Sequence, residues 1–98
     1  MEHRDHRYPT IKPMLDQGRI KSFTDIFTYL PKSVLAADLG KNLKRFNELL
    51  LHVEGFTVKD LVIIGNLCGL TRMEMFRLID EEFVSRERTK KDKRNASF

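Results

Sequence analysis

Five side chains with donor chemistry crowd into seven residues of this 98-residue chain: Lys41, Asn42, Lys44, Arg45 and Asn47. Ammonium and guanidinium groups suit phosphate oxygens, and a carboxamide presents one donor edge and one acceptor edge. The set therefore fits an anionic partner that also carries hydrogen-bonding edges. Leu43, Phe46, Leu49 and Leu50 interleave with it at helical spacing, so one helix would turn the apolar residues inward and the polar set outward. An ordinary solvated helix also has a basic outer face. Placement in the fold decides between the two.

Caps mark the elements that must position this helix. Thr10 caps "IKPMLDQ", with Pro13 in the first turn and Gly18 as the left-handed stop. Ser22 precedes "FTDIFTYL", with Asp25 three residues on, and Phe23, Ile26, Phe27 and Leu30 form one apolar stripe that Pro31 ends. Ser33 starts "VLAADL", which Gly40 closes, and Asn42 caps "LKRFNELLL". "HVEGF" reads as a loop. Thr57 with Asp60 opens "VKDLVIIGNLC", and Thr71 with Glu74 opens a last helix whose buried face runs through Met75, Leu78, Ile79 and Phe83. No strand pattern competes, so the class is all-α.

A helix of six or seven residues is too short to stand alone. Joined to a second helix through a glycine turn, it forms a helix-turn-helix. Ala36 is small enough for close approach, Leu35 and Leu39 anchor the first helix, Gly40 swings the chain, and Phe46 with Leu49 or Leu50 fixes the second. The outer face of the second helix is then pushed into solvent.

Here "LAADLGKNLKRFNELL" resembles the phage-repressor-like (Xre/Cro-type) helix-turn-helix regulators: Leu-Ala, a Leu-Gly four residues on, and a bulky apolar residue six after the glycine. The likeness extends through "FTVKDLVIIGNLCGLTRMEMFRLI" and covers about Ser33 to Ile79. Lys41 departs from the small apolar residue usual at that position, and "LLLHVEGF" lacks the common Glu-x-Gly start. The resemblance implies a five-helix repressor-like DNA-binding domain whose recognition helix, residues 43–51, lies in the major groove of double-stranded DNA, and a homodimer. On that reading Asn47 pairs with adenine, Lys44 or Arg45 with guanine, and Lys41, Asn42 and Lys32 hold phosphates. Met73, Phe76, Phe83 and Val84 are the candidate dimer surface, or else complete the core.

Composition sets the remaining bounds. No unbroken apolar run exceeds four residues, too short for a membrane span, and "MEHRDHRYP" lacks an apolar signal segment. With one cysteine, this predicts a cytoplasmic protein. Residues 1–85 hold twelve basic and twelve acidic residues, so the excess of +4 sits in residues 86–98. The expected organisation is a flexible 1–9, a helix-turn-helix domain over 10–85 and a basic tail over 86–98. That tail, "RERTKKDKR", suits either sequence-independent phosphate contacts or solubility.

The other chemistry-bearing residues read blandly. His3 and His6 have ligand spacing but no third ligand nearby, so no metal is expected. His52 reads as a helix-end cap, Cys68 as core, and Asp80, Glu81 and Glu82 as a surface acidic cluster in which Arg86 can pair at i+4. No nucleophile–histidine pairing, phosphate-cradling glycine loop or carboxylate pair is present, so neither enzyme activity, a cofactor nor a small-molecule ligand is expected. The rival function is an α-helical protein-interaction module, adaptor or antitoxin-like, whose partner covers the apolar last helix.

Overall fold

The structure, a computed structural model, describes the backbone of residues 5–96 and the side chains of residues 5–87. The chain is all-α. Among the described residues it forms α1 (Tyr8–Asp16), α2 (Lys32–Asp38), α3 (Leu43–Leu51), α4 (Val58–Cys68) and α5 (Arg72–Ala96). Short 3₁₀ helices lie at Phe23–Thr28 and Val53–Gly55, and there is no strand among the described residues. No described helix is long and apolar enough to cross a membrane.

One core runs through every element. Tyr8 and Ile11 of α1, Leu35 and Ala36 of α2, Phe46 and Leu49 of α3, Ile64 and Cys68 of α4, and Met75 and Leu78 of α5 are all buried in it. Four phenylalanines form a closed cycle of edge-to-face contacts at its centre. Phe23 meets Phe27 at 5.6 Å and Phe56 at 5.5 Å, and Phe46 meets Phe27 at 5.8 Å and Phe56 at 6.0 Å. Such pairs contribute roughly 0.5–1.5 kcal/mol each beyond area burial. The cycle ties the first 3₁₀ helix and the α3–α4 connection to the inner face of α3.

The first helix begins earlier than the cap at Thr10 implies: α1 starts at Tyr8, and Thr10 lies inside it. Asp5 accepts the Arg7 backbone N–H at 2.9 Å and its side chain at 2.8 Å, and Pro9 takes an early helical position where a missing N–H costs nothing. Tyr8 is buried and its hydroxyl donates to Asp38 at 2.5 Å, which secures α1 to α2. Pro13 consequently sits inside the helix rather than in its first turn.

The segment after Ser22 is a 3₁₀ helix rather than an α-helix. Asp25 accepts the Lys21 and Ser22 N–H groups at 2.8 and 3.1 Å, and Pro31 limits the length available at the other end. α5 brings a further cap. Glu82 is buried and accepts the Thr24 N–H at 2.9 Å, with the Arg86 Nε 3.9 Å from its other oxygen. Glu82 is therefore a tertiary contact, not surface as the acidic run suggests; the i+4 pairing with Arg86 is present.

α3 and α4 keep the bounds that their caps indicate. The Thr57/Asp60 and Thr71/Glu74 boxes form, each hydroxyl accepting the N–H three residues on and each carboxylate the N–H three residues back. Lys12 of α1 donates to Glu74, which ties α1 to the start of α5. The backbone of α5 stays helical to Ala96, well past the end of the apolar pattern at Phe83. Arg, Lys and Glu are good helix formers, so the helix does not need an apolar face to continue. His3 and the side chains of Arg88, Lys90, Lys91, Lys93 and Arg94 lie outside the described residues.

Candidate nucleic-acid interface

The joint between α2 and α3 is built from backbone hydrogen bonds. After the last turn of α2, Gly40 donates its N–H to Ala37 at 3.0 Å and Lys41 donates to Ala36 at 3.0 Å. This 5→2 and 6→1 pair is a Schellman stop, and it requires the residue at its centre to be left-handed. Gly40 has φ +69°, which glycine adopts without a Cβ penalty. The chain reverses within Leu39–Asn42, and Asn42 caps α3 by accepting the Arg45 N–H at 2.7 Å.

Ala36 is buried, Leu39 is half-buried against the core, and Phe46 is fully buried in the aromatic cycle. Leu49 and Leu50 complete the inner face of α3. At about 100° per residue, the opposite side of the helix is centred on Lys44, Asn47, Glu48 and Leu51, with Arg45 and Leu43 on its two flanks. All six are exposed. Leu43 is thus not part of the buried face with which its spacing groups it; it is 46 % exposed. One residue at the helix start falls just beyond the arc that the core covers.

The charged residues differ in what they touch. Lys44 has no ion-pair partner among the described residues, and neither has Lys32 at the exposed start of α2. Arg45 lies 3.5 Å from Glu48, one turn on, with both side chains more than half exposed. Lys41 is half-buried, with its ammonium 3.7 Å from Asp60, the capping carboxylate of α4. It braces the turn against α4 as well as adding charge. Asn42 spends its carbonyl oxygen on the cap and keeps only its amide N–H groups for a ligand.

Three supports of this face have no signature in local sequence. They are the Lys41–Asp60 brace, the Tyr8–Asp38 hydrogen bond and the phenylalanine cycle. Apart from the Phe23–Phe27 contact, they join residues 10 to 33 apart in the chain, and only folding sets their distance. His52 ends α3 as its C-cap residue, its N–H shared between the Glu48 and Leu49 carbonyls and its exposed ring 3.8 Å from Glu54. His6 is exposed beside Asp5. Cys68 is buried and its thiol is pushed up to about 12 by desolvation, as befits a core residue with no chemistry at neutral pH.

Comparison with protein-family models, with curated proteins and with solved structures gives no match for this chain.

Proposed function

We propose that this chain is a sequence-specific DNA-binding transcriptional regulator, with α2 and α3 as a helix-turn-helix and α3 as the recognition helix in the major groove. The observation that carries the reading is the orientation of α3. Its inner face is locked by Phe46, Leu49 and Leu50, and its outward ridge holds the exposed Asn47 and Lys44, the latter with no ion-pair partner among the described residues. Asn47 suits the N6/N7 edge of adenine, and Lys44 the O6/N7 edge of guanine. Arg45, flanking and close to Glu48, reaches the next base edge or the backbone. Lys32 and the amide of Asn42 serve phosphates, and Lys41 contributes from its brace on Asp60.

Repressor-like domains act as two-fold dimers, and α5 offers a surface for one. Met73, Phe76 and Phe83 are 75, 41 and 41 % exposed, and recur along one side of the helix with Val84 half-buried beside them. The same patch favours the second reading, an adaptor or antitoxin-like module whose partner covers α5.

Selection from a random duplex pool separates the two. The full chain should enrich a motif, most tellingly a palindrome with half-sites about one helical turn apart, and a Lys44→Ala/Arg45→Ala/Asn47→Ala variant should lose it. Salt-sensitive retention without a motif would reduce the reading to backbone binding. No retained DNA at low salt would leave the partner-binding module.

A further inference from the structure

Two exposed leucines border the outward face of α3, Leu51 on it and Leu43 at its flank. Leu51 is 69 % exposed and Leu43 is 46 % exposed, and Asn47 lies between them, one turn from each. The three residues form an i, i+4, i+8 line about 12 Å long. At about 3.4 Å per base step that line spans three to four base pairs. Single exposed leucines are ordinary. An apolar–amide–apolar line that climbs from the flank of a capped helix onto its outward ridge is not what solubility alone would choose.

The chemistry of the line matches one kind of base pair. A·T pairs alone present, in the major groove, both an amide-complementary edge on adenine and an apolar C5-methyl on thymine. A dry protein partner fits less well, because Asn47 and Lys44 interrupt the apolar surface and would be desolvated against it. Residues 41–48 also hold three cations and one carboxylate, an excess that complements a polyanion. We infer that α3 selects A·T base pairs, Asn47 pairing with adenine while Leu43 and Leu51 pack on thymine methyl groups on either side. This rests on the DNA-binding reading above, and names the sequence class that such a face would take.

The test uses the full chain and the duplex enriched from the random pool, resynthesised with deoxyuridine replacing one thymine at a time. Removing a contacted methyl should weaken binding about fourfold, the worth of one buried carbon. Leu43→Ala and Leu51→Ala should each become indifferent to deoxyuridine at one position while keeping the wild-type response at the other. Both sites are exposed, so unchanged unfolding midpoints will show that the variants fold. A motif of G·C pairs at the contacted positions, or affinity unmoved by deoxyuridine, overturns the inference and leaves the DNA-binding reading standing. Leucine variants that bind DNA as the wild type does also overturn it, and assign these leucines to a protein contact. Failure to retain any duplex at low salt removes the parent reading, and this one with it.

Discussion

Replacing Gly40 by alanine isolates the one backbone conformation on which the orientation of α3 depends. Gly40 has φ +69°, and a Cβ built there meets nothing within 4 Å. The cost is therefore conformational, with no steric part. A left-handed non-glycine residue costs about 1–2 kcal/mol. Restricting the unfolded chain returns roughly 0.4–1 kcal/mol. The net loss is about 1 kcal/mol, which for a domain of this size lowers Tm by about 4–8 °C. In urea the midpoint should fall by about 0.5 M at unchanged slope. Gly40→Asn should lose less, since asparagine tolerates this region. Because the turn keeps its hydrogen bonds, folded Gly40→Ala should hold DNA within about twofold of wild type, each 1.4 kcal/mol being tenfold. Gly65→Ala is the contrasting control. Its Cβ would sit 3.2 Å from the Leu70 carbonyl in the α4–α5 connection, which would have to give by a few tenths of an ångström, so its cost has a steric part. A loss at Gly40 above about 3 kcal/mol, the scale of a core defect, would mean that the turn is not the Schellman stop described. No loss at all would mean that Gly40 is not left-handed.

Other outcomes follow from the same contacts. Lys41→Ala should lower DNA affinity while changing the slope of log K against log salt by less than the roughly 0.9 expected for a full phosphate contact, because Asp60 already engages the ammonium; a full unit would show that Lys41 releases Asp60 to reach DNA. Phe46→Ala removes a fully buried ring from the aromatic cycle and should cost about 3–5 kcal/mol in chemical denaturation, enough to unfold much of the population. Cys68 should resist thiol reagents at pH 8 in the native protein and react at once in denaturant. Its folded value, about 12, lies above the ordinary 9.0, so the unfolded chain gives up the proton first and stability should fall as pH rises past about 9. Glu74 is held below 4.5 chiefly by its hydrogen bond from Lys12, so its contribution, present above pH 4.5, should fade as pH falls below that value; Glu74→Gln should flatten that limb of the stability profile.

Local chemistry in the sequence determined the all-α class, the bounds of α3 and α4, the glycine stop at Gly40 and the identity of the polar face of α3. Each of these depends on residues within one or two helical turns of one another: Asn42 and Arg45, Thr57 and Asp60, Ala36 and Lys41. Spacing alone does not fix where the core ends. Leu43 and Phe46 share an apolar pattern, yet one is exposed and the other sealed, because coverage is set by what packs against the helix and not by the helix itself. Three decisions belonged to the tertiary structure. It drew Tyr8 into the core and onto Asp38, turned Glu82 from a surface acid into the cap of Thr24, and set Asp60 against Lys41. These contacts close loops by joining residues 19 to 58 apart in sequence. Nothing at one end of such a loop specifies the distance to the other until the shared hydrophobic core has formed between them.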